Sequence, residues 1–163
     1  MTRHDDTLQA TRRRFLIDTA ALAGAAGIWL PLATGPASAT PASMRAAIRK
    51  VVGETPITKG RVKIDLPPLI ENGNAVPLTV SVESPMSEAD HVKAIHVFNE
   101  KNPQPHVFDA RLSPRNGKAV VATRIKLGDS QKIMAIAETS KGEFFSASAD
   151  VIVTLAACLE DLT

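Results

Sequence analysis

Apolar residues recur at two different periods along this chain, and the change of period divides it. Between Ser43 and Val52, the residues Met44, Ala47, Ile48, Val51 and Val52 fall at i, i+3, i+4, i+7 and i+8, one stripe on a helix. Ser43 stands where a side-chain cap begins such a helix, and Gly53 where a left-handed residue ends it. About ten residues do not hold a helix alone in water, so this one must dock on something. From Lys59 onward the period is two. Val62, Ile64 and Leu66 alternate with Lys63 and Asp65, and Pro67-Pro68 is expected to stop further pairing. Val76, Leu78, Val80 and Val82 alternate with Thr79, Ser81 and Glu83, which predicts a half-buried strand. Further strands are predicted over 91–99, 106–112, 118–127, 132–139 and 143–155, the last one bent or broken near Ala149.

Turn chemistry separates these runs: Asn72-Gly73, Ser84-Pro85, Asn102-Pro103, Asn116-Gly117, Gly128-Asp129 and Lys141-Gly142. Seven short strands at regular spacing predict an all-β fold, an immunoglobulin-like β-sandwich with one short N-terminal amphipathic helix. The chain holds a single cysteine, Cys158, so the inter-sheet disulfide of many such sandwiches is excluded. Aliphatic packing must hold the core instead.

The first forty residues follow another logic. Thr11-Arg12-Arg13-Arg14-Phe15-Leu16 fits the twin-arginine export pattern, with Arg12 and Arg13 as the signal pair. An Ala- and Gly-rich apolar stretch runs from Ala20 to Leu32, too short for a stable membrane span. Ala37 and Ala39 then supply the small residues of an A-x-A cleavage site. The expected division is a leader at 1–39, a domain at 40–154 and a C-terminal arm at 155–163. Removing 39 of 163 residues leaves a mature chain of 124, without membrane segment, Trp or Tyr. Four Arg and three Asp leave with the leader, which turns the net charge of +2 into +1. That balance argues against nucleic-acid binding. Lys118, Arg124, Lys126 and Lys132 read as a solvated face.

No catalytic constellation is visible. The chain has no G-x-S-x-G elbow, no P-loop and no H-E-x-x-H. His91 and His96 are five apart and so face opposite sides of a strand, a poor metal pair, and His106 reads as an edge residue. No metal and no cofactor are expected. Cys158 remains, five residues from the end and beyond the last strand. A free thiol in an oxidising compartment is used or shielded. A thiol on a terminal tail suits a swinging carrier arm; a buried, inert cysteine is the alternative.

Two stretches carry a resemblance to a known family. One is Ile64 to Met86, holding the pattern L-P-x-x-x-E-N-G-N-x-V-P from Leu66 to Pro77 and then Ser84-Pro85-Met86. The other is Ala135 to Phe145, followed by a Val-rich strand and the near-terminal cysteine. Both resemble the SoxY sulfur carriers of the periplasmic thiosulfate-oxidising system. The resemblance implies a sandwich that pairs with a SoxZ-type subunit and carries sulfur intermediates covalently on Cys158. It implies no turnover by the chain itself, which would be served by a haem enzyme that couples thiosulfate to the thiol, a sulfate-releasing hydrolase and a sulfane dehydrogenase. It also implies a periplasmic location. The family's arm reads Gly-Gly-Cys-Gly-Gly, whereas here it reads Ala156-Ala157-Cys158-Leu159-Glu160. Alanines are stiffer than glycines, and Glu160 and Asp161 raise a neighbouring thiol's pKa and repel anions. The missing glycines leave a second reading open: a paralogue that binds the partner without carrying sulfur.

Overall fold

The computed structural model describes residues 40–157. The expected leader, with Arg12, Arg13, Ala37 and Ala39, and Cys158 with the residues after it lie outside the described residues.

Helix α1 spans Pro41–Val52. Its cap is Thr40 rather than Ser43. The Thr40 hydroxyl accepts from the Ser43 N–H at 3.2 Å, and the Thr40 N–H donates back to Ser43 Oγ at 2.6 Å. Pro41 explains the earlier start, because its fixed φ suits the first helical position and that position needs no N–H. Ser43 becomes the third residue of a reciprocal capping box. Gly53 ends the helix at φ +62°, its N–H bonded to the Arg49 carbonyl.

Nine strands follow: β1 (Ile57–Lys59), β2 (Val62–Asp65), β3 (Leu69–Ile70), β4 (Val76–Val82), β5 (Val92–Asn99), β6 (His106–Arg111), β7 (Ala119–Ile125), β8 (Gln131–Thr139) and β9 (Phe144–Val153). They form two sheets. One has the order β1-β9-β8-β5-β6, with β3 also paired to β9; the other is β2-β4-β7. The expected sandwich is the observed one, with two short strands more than the periodicity predicts.

Those two strands come from a chain that crosses between the layers twice. β1 lies parallel beside the start of β9. Gly60 and Arg61, both at positive φ, turn the chain over to the small sheet as β2. Arg61 is held there by its Nε bond to the Glu83 carbonyl and by stacking 4.7 Å from the Phe145 ring centroid. Pro67-Pro68 ends the pairing of β2 but does not stop pairing altogether. Pro68 lacks a donor, yet its carbonyl accepts from the Ile152 N–H at 2.9 Å, and β3 then runs parallel to the end of β9. β9 is therefore paired on one edge by β8 and on the other by β1 and then β3. It is continuous through Ala149, because its ladder with β8 keeps one register from Phe144 to Val151.

The core between the layers is aliphatic, as the single cysteine requires. Leu78, Val76 and Val80 from the small sheet meet Ile95, Val97, Ile133 and Ala135 from the large one. A second cluster lies on the outer face of the large sheet. There α1 places Met44 and Val52 on Phe98, Ile136 and Phe144, which supplies the docking surface that a short helix needs. Truncating Leu78, which is 1% exposed, removes core volume that rigid neighbours cannot refill. Leu78→Ala is expected to lower stability by about 2–5 kcal/mol. Ile152→Ala, at an exposed site, should change it by less than about 0.5 kcal/mol. Urea unfolding of the two variants checks both values.

Candidate functional site

The sequence points to Cys158, and the structure shows what holds the chain just before it. Three loops converge where β9 ends. The first is the Glu71-Asn72-Gly73-Asn74 turn. Asn72 Oδ1 accepts from the Asn74 N–H at 2.9 Å and so sets the tight turn over Gly73–Ala75. The second is Leu127-Gly128-Asp129-Ser130, between β7 and β8. The third is the 99–105 loop, whose Asn102 ties the second in place. Asn102 Nδ2 donates to the Lys126 carbonyl, and Asn102 Oδ1 accepts from Gly128 N–H and Gln131 Nε2.

The C-terminal segment is fixed in this frame residue by residue. The Val153 N–H donates to Ser130 Oγ at 2.9 Å. The Thr154 N–H donates to the Ile70 carbonyl at 2.9 Å, and its hydroxyl donates to the same carbonyl at 3.2 Å. The Leu155 carbonyl accepts from Gly73 N–H at 2.8 Å, and Ala157 N–H donates to the Leu127 carbonyl at 2.9 Å. Leu127 N–H in turn donates to the Gly73 carbonyl at 2.8 Å. Ala157 is buried. Among the described residues, the backbone is thus hydrogen-bonded to the sandwich as far as Ala157.

Gly73 is the centre of this clamp. A Cβ at that position would lie 2.2 Å from the Leu127 carbonyl oxygen and 2.8 Å from the Ala157 nitrogen. Both are backbone atoms that cannot rotate aside, so only glycine allows the three segments to meet. The family-like Asn-Gly pair is thus a seat for the C-terminal segment as well as a turn. The charge beside it is settled: the Lys101 ammonium, with the Ser130 N–H, holds the Asp129 carboxyl below the usual carboxylate range.

Leu69 and Ile152 are register partners on the outer face and are 56% and 61% exposed; Leu155, also 61% exposed, follows on the same stretch of chain. These apolar side chains flank the clamp. The four basic residues of the sequence reading do not form one patch. Lys132 sits on β8 and is bonded to Asp150 at 2.7 Å, while Arg124 lies on β7 in the other sheet.

A second group of polar residues was not visible in the sequence. His96 on β5 faces Asp109 on β6 across the ladder. The register slips by one between Val97 and Phe98, so His106 pairs with Phe98 and joins the same face. Asp109 Oδ1 is 2.5 Å from His96 Nδ1 and 2.6 Å from His106 Nε2. Partial burial pushes the Asp109 carboxyl up, but the bonds from both imidazoles outweigh this and hold it below its ordinary value. His96 is buried rather than a surface or edge residue, and His106 is half-buried. His91 stays apart, its Nδ1 at 3.1 Å from the Ser87 carbonyl.

The family model described as "Sulfur oxidation protein SoxY" matches residues 48–158, so its last matched residue is Cys158. No curated protein matches the chain. Among solved structures, the sulfur carrier protein SoxY from Chlorobium limicola f thiosulfatophilum is 26% identical with a TM-score of 0.59. That match covers 70% of this chain and 98% of the other. A superoxide reductase (neelaredoxin) from Ignicoccus hospitalis is 19% identical with a TM-score of 0.52, over 58% of this chain and 80% of the other. That second likeness is one of fold.

Gly73→Ala is expected to break the Gly73–Leu155 and Ala157–Leu127 bonds while leaving the β5–β8 core intact. The loss of two buried backbone bonds corresponds to roughly 1–3 kcal/mol. Hydrogen exchange followed by NMR should show lost protection at the amides of residues 73 and 157, with protection in β5 and β8 retained.

Proposed function

The chain belongs to the SoxY family of sulfur-oxidation proteins, and from that premise we propose that it is an exported sulfur carrier whose covalent attachment point is Cys158. One observation carries the reading: the family match ends on the only cysteine, and the fold clamps the backbone up to the residue before it. A cysteine thiol, through its thiolate, is the nucleophile that such attachment requires.

The chemistry that follows is group carriage. The Cys158 sulfur forms a bond to the outer sulfur of thiosulfate; the thiol proton and two electrons leave, the electrons passing to a partner haem enzyme. Water then cleaves the bond to the sulfonate sulfur, which releases sulfate and leaves a persulfide on Cys158. A sulfane dehydrogenase oxidises what remains. The chain itself supplies the thiol and its position, which agrees with the lack of a catalytic set in its sequence. Folded export by the twin-arginine route would deliver it to the periplasm with the clamp already made.

The clamp changes how the thiol is delivered. A freely swinging arm would begin at Leu155, but Leu155 and Ala157 are bonded to the sandwich. The chain on the N-terminal side of the cysteine is therefore held to the sandwich as far as Ala157, and the glycines of the usual arm are less needed there. Leu69, Ile152 and Leu155 give the partner enzymes, or a SoxZ-type subunit, an apolar landing strip beside that segment.

The loss of the arm glycines favours a second reading, a partner-binding paralogue that carries no sulfur. Cys158→Ser separates the two. In cells that depend on this chain for thiosulfate oxidation, the substitution should abolish oxidation while co-purification with the SoxZ-type subunit persists. Unimpaired oxidation would favour the paralogue and overturn the carrier reading.

A further inference from the structure

We propose that His96, His106 and Asp109 form a binding site for one divalent first-row transition-metal ion, taken up through His96 Nδ1, His106 Nε2 and the Asp109 carboxylate. The donor atoms lie within 4.8 Å of one another. They come from adjacent strands of one sheet, and a β-bulge builds the group. In an unbroken ladder Phe98 would face Val107, and His106 would point to the opposite side; the extra residue brings its ring onto the face of His96 and Asp109. Once there, the His106 ring stacks on Phe98, with centroids 4.7 Å apart.

The donors suit the ion. Two imidazoles and a carboxylate are a set for zinc, iron(II), nickel or copper(II) rather than for calcium or magnesium, which prefer all-oxygen shells. Bonds of about 2.0–2.1 Å at tetrahedral angles place donors roughly 3.3 Å apart. The present spacings of 2.5 and 2.6 Å to Asp109 Oδ1 are those of a site closed on its own hydrogen bonds. Opening it requires small rotations of His106 and Asp109, whose side chains are 35% and 42% exposed. His96, with its side chain 10% exposed, stays as the rigid wall. Solvent access on that open side leaves room for a water to complete the shell.

His96 Nε2 is buried without a hydrogen-bond partner among the described residues, and Nδ1 is the nitrogen that faces Asp109. The proposal does not depend on Cys158 or on sulfur chemistry.

The test is a titration of the untagged full chain with zinc(II) by calorimetry, and with cobalt(II) by visible absorption. One ion per chain is expected. His106→Ala and Asp109→Asn should each weaken binding at least tenfold, and zinc should raise the melting temperature of the wild type but not of these variants. His91→Ala and Cys158→Ser should bind as the wild type does, and the cobalt spectrum should lack thiolate charge-transfer bands. No saturable binding up to 100-fold excess of metal, binding that survives both His106→Ala and Asp109→Asn, or binding lost in Cys158→Ser would each overturn the proposal. Because the variants alter partly exposed side chains, circular dichroism can confirm that they fold before binding is compared.

Discussion

Three backbone segments meet at Gly73 with no room for a side chain between them, and the exit of the last strand depends on that contact. The turn from Glu71 to Asn74, the β7–β8 connection at Leu127 and the chain at Leu155–Ala157 are far apart in sequence. They are joined by three backbone hydrogen bonds of 2.8–2.9 Å. A Cβ at position 73 would sit 2.2 Å from a carbonyl oxygen, so a single methyl group is enough to part them. Around this contact Asn102, Gln131 and Ser130 hold the second loop in place, and Thr154 ties the outgoing chain to Ile70. The described part of the sandwich thus ends in a seat that holds Ala157, the residue before Cys158 in the sequence.

That seat also accounts for the unusual path of the chain through β1, β2 and β3. A sandwich could be closed with β9 as an exposed edge. Instead the chain leaves the large sheet, forms β2 in the small one and returns as β3 to cover the end of β9. The return brings Ile70 against Val153 and sets Gly73 three residues further on, opposite Leu127. Covering the edge protects β9 from adventitious pairing and positions the clamp at the same time.

Elements with a long, regular period were legible from the residues. The stripe of α1 and the alternation of β4 gave the right elements, and the absence of a second cysteine gave an aliphatic core. The helix start was misplaced by one cap because Pro41 favours the first helical position and Thr40 and Ser43 can both serve in the box. β1 and β3, with three residues and two, are too short for any period to show. The Pro67-Pro68 pair reads as a stop because sequence shows a missing donor and not the acceptor that Pro68 supplies. The role of Gly73 could not be seen, since the atoms that exclude a side chain come from residues 127, 155 and 157. The clamp on Leu155 and Ala157, just before Cys158, was likewise not legible. The His96–His106–Asp109 group was hidden for another reason: strict alternation puts residues three apart on opposite faces, and only the bulge at Val97/Phe98 reverses that for His106.

The central claim is that sulfur is carried on Cys158 at the end of this seat. The most direct measurement is the intact mass of the protein recovered from cells oxidising thiosulfate, before and after reduction. The account predicts reducible mass increments of one or more sulfur atoms, or of a thiosulfonate group, that map to the peptide bearing Cys158 and vanish in Cys158→Ser. An unmodified mass in cells where thiosulfate is being consumed through this chain would contradict it.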